Sequence, residues 1–169
     1  MEIYLAGGCF WGLQGYFDLI EGVRKTQVGY ANSSIPNPSY EQVCANLTNA
    51  TEAVHIVYDP AILSLTHLLW RFFDVIDPTA LNYQANDIGT QYRNGIYTKN
   101  PELLPSIRAF IAQHITPLYT REVVTEVMLL QNFFVAESYH QKYLAKNPYG
   151  YCHIDITKAL KPLNSKYLH

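Results

Sequence analysis

Cysteine is scarce in this chain of 169 residues: three in all, Cys9, Cys44 and Cys152. Three thiols at these spacings make neither a disulfide framework nor a zinc site, and no metal is expected. Charge is low as well, 15% of residues, with 12 Lys and Arg against 14 Asp and Glu. Without a basic surplus, no nucleic acid and no anionic membrane surface is an expected partner. No apolar run approaches the roughly 20 residues that cross a bilayer. Gly-x-Gly-x-x-Gly and phosphate-loop patterns are missing, so nucleotide binding has no support, and there is no repeat or low-complexity tract. What remains is 49% hydrophobic residues with 14 tyrosines, enough for one folded domain with a real core over residues 1–169.

The most informative segment is Gly7-Gly8-Cys9-Phe10-Trp11-Gly12. The apolar run Ile3-Tyr4-Leu5-Ala6 before it reads as a buried strand. After it, Phe10, Leu13, Phe17 and Ile20 keep helical spacing through Glu21, and Gly22 supplies a C-cap. Cys9 is therefore expected at a helix N-terminus, where unpaired N–H groups and the helix dipole favour an anion. A thiol there should lose its proton more easily, and the thiolate is the nucleophile. The plain alternative is a small buried hydrophobe; the flanking glycines, which permit close backbone approach, favour the reactive reading.

Along the rest of the chain, Val23–Tyr30 and Glu52–Tyr58 alternate as strands. Leu65, Leu68, Leu69, Phe72, Phe73 and Ile76 form a helical stripe with Ser64 as N-cap, stopped by Asp77-Pro78. The polar stretch Thr79–Asn94 is long for a structureless loop, which marks it as functional. Gly95–Thr98 and Val123–Leu130 read as strands. Pro101 opens a helix carrying Ile107, Phe110 and Ile115, and Glu137–Ala145 reads as a short helix. The tail from Asn147 to His169 should wrap the surface. Some strands follow one another without a helix between them, which suits an α+β two-layer sandwich with a mixed sheet and flanking helices.

Assembled in order, several segments resemble one family, the peptide-methionine sulfoxide reductases of type A. They are Gly7 to Gly12, Gly29-Tyr30, Asn37 to Cys44, Glu52, Asp77-Pro78-Thr79, Asn86-Asp87, Gly89 to Arg93, Ala136 to Gln141 and Asn147 to Cys152. The resemblance implies a ferredoxin-like sheet arrangement and reduction of methionine S-sulfoxide, free or in proteins; such enzymes repair oxidised methionine one epimer each. It implies Cys9 as nucleophile, Glu52 as the acid protonating the sulfoxide oxygen, and Tyr40 and Tyr92 as hydroxyl donors to that oxygen. Phe10 and Trp11 would form the pocket for the terminal methyl group, and Asp87 would hold substrate or water. Cys152, on the tail, would condense with the Cys9 sulfenic acid. The disulfide would be reduced by thioredoxin, or by dithiothreitol in its place, with no bound cofactor.

Taken singly, Glu52 reads as a solvated carboxylate, Tyr40 and Tyr92 as half-buried loop tyrosines, His140 as a structural hydrogen-bonding residue, and Cys44 as a small buried residue. The chain also departs from the family pattern. Asn49-Ala50-Thr51 stands where relatives usually carry Gly-His-Ala, which bears on the support of Glu52. Ala85 stands where glycine is usual, and Ile76 where many relatives have histidine. The ending Cys152-His153-Ile154-Asp155-Ile156 is similar to reductase domains fused to type B partners. The expected protein is a cytoplasmic monomer, or an exported one if it is cut from such a fusion. Two other readings stay open on the residues: a module that binds methionine sulfoxide without turnover, and a general thiol peroxidase.

Overall fold

A computed structural model of the chain describes residues 1–163 and Tyr167. Strand β1 (Glu2–Ala6) leads to helix α1 (Phe10–Phe17), strand β2 (Val23–Ala31), helix α2 (Tyr40–Cys44), strand β3 (Thr51–Tyr58) and helix α3 (Leu65–Phe73). The long polar stretch holds a small hairpin, β4 (Tyr83–Gln84) with β5 (Asp87–Ile88), and a 3-10 turn over Thr90–Tyr92. Strand β6 (Gly95–Thr98), helix α4 (Leu103–Phe110), strands β7 (Glu126–Leu129) and β8 (Phe133–Val135), and helix α5 (Tyr143–Lys146) complete the frame.

The main sheet has the order β7-β6-β1-β3-β2-β8. Strands β6 and β7 are parallel and the other pairs antiparallel. Elements β1, α1, β2, β3, α3 and β6 reproduce the ferredoxin-like βαββαβ unit, so the expected α+β mixed sheet with flanking helices is the observed architecture. Period-two alternation divides the sheet cleanly. Ile3, Leu5, Val28, Val54 and Ile56 join the core with Leu13 and Phe17 of α1 and Leu68 and Phe72 of α3. Each such buried side chain contributes about 1.5–3 kcal/mol. Tyr4, Ala6, Ala31, Ala53 and Tyr97 form a second cluster on the opposite face.

That second face is curled. The Leu130 N–H donates to Thr98 O at the end of β6, and two residues later Asn132 O accepts from Asn32 N–H beyond β2. In a flat sheet β7 and β8, at opposite edges, would lie about 24 Å apart, whereas the chain from Leu129 to Phe133 reaches at most about 14 Å. The sheet must bend across its width, and the small side chains of Ala6, Ala31 and Ala53 make room for Met128, Leu130 and Phe133.

Several elements differ from the sequence reading. Helix α1 ends at Phe17, short of Glu21. Helix α2 and strand β8 are additional. The helix expected over Glu137–Ala145 is broken into a 3-10 turn, Ser138–His140, and α5. The cause lies at Gln141, whose amide accepts from Val28 N–H (3.0 Å) and donates to Val28 O (2.8 Å), prolonging the sheet edge in place of a helical turn. Lys142 then takes a left-handed conformation (φ 54°). The tail does lie over α1: Ile154 and Ala159 are buried in the core, and the 3-10 turn Ile156–Leu160 packs on that helix. Residues 164–166 and 168–169 of the expected tail lie outside the described residues. Among the described residues no helix is long and apolar enough to cross a membrane.

Candidate active site

Register alone brings the key residues to one end of the sheet. Ala6 pairs with Gly95, Tyr30 with Glu52, and Ala31 with Thr51. The C-terminal ends of β1 and β2 therefore lie beside the starts of β3 and β6. Cys9 follows β1 as the N-cap of α1 (φ −57°, ψ 122°). Glu52 is the second residue of β3, and Tyr92 ends the turn that precedes β6. Gly8 makes the sharp approach possible. It sits at φ +86°, and a Cβ there would lie 2.7 Å from Gln84 Cβ and 2.9 Å from His153 Nε2.

The first N–H groups of α1 are shared between two residues. The Glu52 Oε2 accepts from Phe10 N–H at 3.0 Å, while the N–H groups of Trp11 and Gly12 favour the charged form of the Cys9 sulfur. Glu52 is 2% exposed. Burial pushes its pKa up to about 8 against the Phe10 hydrogen bond, and the Asp87 charge adds to the rise. At pH 7 the carboxyl is mostly protonated, as an acid needs to be. The buried position replaces the solvated carboxylate that a lone glutamate suggests.

Cys9 corrects one expectation. It stands at the helix N-terminus as the sequence indicates, but its thiol is pushed up, not down. Burial is the main cause, followed by the Glu52 and Asp87 charges, and together they outweigh the Trp11 and Gly12 N–H groups. At 7% exposure the sulfur has too little water around it for the dipole to win.

Both phenols lie within electrostatic reach of Glu52. Burial raises the pKa of Tyr92, as do the nearby groups of Glu52, Asp87 and Cys9. Burial also raises that of Tyr40, whose hydroxyl lies beside the Cys44 thiol and within the influence of Glu52 and Tyr92. Both hydroxyls thus keep their protons and can donate. Cys44 is exposed, because α2 turns only its Val43 side into the core. The expectation of a buried Cys44 fails for that reason.

Phe10 is 1% exposed and packs on Tyr30 and His140, so it forms a floor. Trp11 is half-buried, stacked on Tyr143 with ring centroids 3.7 Å apart, and its Nε1–H donates to His140 Nδ1 at 3.0 Å. His140 is buried and its pKa is lowered by that burial, which leaves a neutral ring that fixes the indole, in keeping with its structural reading.

The tail closes one side. Asp87 Oδ2 accepts from the Tyr151 hydroxyl at 3.1 Å and lies 3.7 Å from His153 Nδ1. Cys152 donates its S–H to Ile154 O, and a Cβ on Gly12 would come within 2.9 Å of its sulfur. Gly12 is in the first turn of α1, so the second thiol packs on the turn that Cys9 caps.

Two residues inside the matched motifs, given no role by the sequence, support the site. The Glu137 carboxylate accepts from the Tyr30 hydroxyl (2.8 Å) and the Tyr40 N–H (3.0 Å), anchoring the start of α2. Arg93 binds Glu126 Oε1, Thr90 O and Asn49 O. For α2 itself there was a signal: Ser39 and Gln42 form a capping box, readable from their three-residue spacing. Among the described residues no group of three His, Cys, Asp or Glu is placed to hold a metal.

A buried thiol at a helix N-terminus, a buried carboxyl beside it, two phenols within reach of that carboxyl and a second thiol on an overlying tail are the groups a thiol-based oxidoreductase would use. The comparisons with known proteins make the class specific. The family model described as peptide methionine sulfoxide reductase matches residues 1–169. A curated relative from Mycoplasma pneumoniae, peptide methionine sulfoxide reductase MsrA, is 54% identical over 156 residues, covering 90% of this chain and 97% of its own length. Among solved structures, Mxr1 from Saccharomyces cerevisiae in reduced form superposes with a TM-score of 0.85 at 34% identity, covering 90% of this chain and 88% of that one. Mxr1 in complex with Trx2 shares the fold at a TM-score of 0.60 and 21% identity, covering 85% and 84%. The chain belongs to the peptide methionine sulfoxide reductase family.

Proposed function

We propose that this chain reduces methionine S-sulfoxide through Cys9, with Glu52 relaying the proton. The observation that carries the reading is the Glu52 carboxyl, 2% exposed and held by the N–H of Phe10, the residue next to the thiol, where burial raises its pKa. Oxide is a poor leaving group, so the sulfoxide oxygen must gain a proton as sulfur is attacked. Glu52 gives its proton to that oxygen, and the Cys9 thiol proton replaces it on the carboxyl. The S–O bond of the substrate breaks, methionine leaves, and the hydroxyl ends on Cys9 as sulfenic acid. Tyr40 and Tyr92 donate to the oxygen as charge develops on it. Trp11, over the floor made by Phe10, receives the terminal methyl group. Asp87, fixed by Tyr151, orders substrate or water beside Cys9.

Cys152 then attacks the sulfenic sulfur, water leaves, and a Cys9–Cys152 disulfide remains. A dithiol of the thioredoxin class reduces it by exchange, a partner consistent with the complex formed by the structural neighbour Mxr1 with Trx2. The discriminating experiment gives the reduced protein the S and R epimers of methionine sulfoxide, and separately peroxide, with dithiothreitol. Consumption of the S epimer alone supports the reading. Consumption of neither epimer identifies a binding module, and consumption of peroxide alone a peroxidase.

A further inference from the structure

Thr51 immediately precedes Glu52, and its side chain is fully buried (0% exposed). Its Oγ1 lies 3.0 Å from Gln91 O and 3.1 Å from Arg93 O. Those two carbonyls flank Tyr92 on both sides. A threonine hydroxyl has one proton, so it is shared between the two or alternates between them, and either way it ties the residues on both sides of Tyr92 to the start of β3. Arg93 adds a second tie between the same segments: its Nη2 donates to Asn49 O at 2.8 Å and its Nη1 to Thr90 O at 2.9 Å. Asn49 turns its carbonyl toward the guanidinium from a left-handed conformation (φ 53°), which asparagine adopts more readily than most residues. The start of β3 and the Thr90–Tyr92 turn are far apart in sequence, and among the described residues these bonds cross between them.

We infer that Thr51 is a positioning residue for sulfoxide reduction: its hydroxyl fixes the Tyr92 donor relative to the Glu52 acid. The inference rests on the reading of Glu52 and Tyr92 given under Proposed function. Both groups must meet one oxygen atom, and a shift of about 1 Å at such a site costs on the order of a hundredfold in rate. Alternation places the Thr51 side chain on the face of β3 opposite to Glu52. It acts through the backbone of the turn and touches neither substrate nor reacting atoms.

The test is single turnover of methionine S-sulfoxide by the reduced protein without a recycling reductant. The variants are Thr51→Val, Thr51→Ser, Tyr92→Phe, Glu52→Gln and the double variant that combines Thr51→Val with Tyr92→Phe. Valine keeps the shape and strand preference of threonine, so it removes the hydroxyl with little change in packing. The expected result is a rate constant at saturating substrate about tenfold lower in Thr51→Val, with half-saturation moved by less than about twofold. Thr51→Ser should recover to within about threefold of the parent. With Tyr92 already replaced by phenylalanine, adding Thr51→Val should cost less than about twofold, since a residue acting through that hydroxyl has nothing left to position. An unchanged rate in Thr51→Val, a serine variant as slow as valine, or an undiminished valine effect in the Tyr92→Phe background each overturns the proposal. If Thr51→Val is fast while Glu52→Gln and Tyr92→Phe are slow, the positioning role alone fails. If those last two are as fast as the parent, the reading of the site fails and takes the proposal with it.

Discussion

Replacing Glu52 by glutamine should move activity and stability in opposite directions. The carboxyl is held at about 8 instead of the ordinary 4.5. Each pKa unit corresponds to about 1.4 kcal/mol, so ionising Glu52 inside the fold costs up to about 5 kcal/mol. A raised folded-state pKa has a definite sign. Below about pH 4.5 the carboxyl is protonated whether the chain is folded or not, and the fold carries no penalty. Between 4.5 and 8 the unfolded chain releases the proton and the folded chain keeps it, so stability drains away as pH rises. Above 8 the full penalty applies. Glutamine has a similar shape and never ionises. Urea unfolding at pH 5 and pH 9 should therefore show the parent losing about 3–5 kcal/mol relative to Glu52→Gln. In single turnover the same variant should be slower by about 10²–10⁴-fold, because an amide can donate a hydrogen bond but cannot deliver a proton. The parent rate should be flat up to about pH 8 and fall about tenfold per unit above it. Parallel stability curves for the two proteins, or a parent rate that climbs through pH 9, would refute the assignment of a protonated acid.

Other outcomes follow from the same geometry. Cys152→Ser should complete one turnover at the parental rate and then stall with thioredoxin; normal recycling would remove Cys152 from the resolving role. Gly12→Ala should slow disulfide formation, measured by loss of free thiol after one turnover, because its methyl group would lie 2.9 Å from the Cys152 sulfur and force it to shift; an unchanged rate would mean that this docking does not matter. Gly8→Ala should destabilise the fold by about 1–3 kcal/mol in urea, since φ +86° and contact with Gln84 both oppose a side chain; a neutral effect would show that the turn relaxes.

Much of this architecture was legible in the residues. The strand before Cys9, the alternating run of β3 and the apolar stripe of α3 announced themselves through period, and they appear where period puts them. The ordered motifs named the residues that register later gathered at one end of the sheet. Other features depended on distance in space. Phe133-Phe134-Val135 favours extended backbone but is too short to show a period; it becomes a strand because Gly29, Tyr30 and Ala31 offer it a partner. The break at Gln141 needs the free edge of Val28. Cys9 shows the limit most clearly. A helix N-terminus read in isolation predicts easier ionisation, and only the folded chain reveals how deeply the sulfur is buried and that two carboxyls stand near it. The support of Glu52 is similar, since Thr51 finds its acceptors about forty residues onward.

The most direct test of the chemistry is to mix reduced Cys152→Ser protein with one equivalent of methionine S-sulfoxide and analyse both products by mass spectrometry. The mechanism predicts one methionine released per chain and one oxygen atom gained on the peptide that contains Cys9, trapped as sulfenic acid. Methionine released with no change at Cys9, or oxygen found on Cys44 instead, would contradict it.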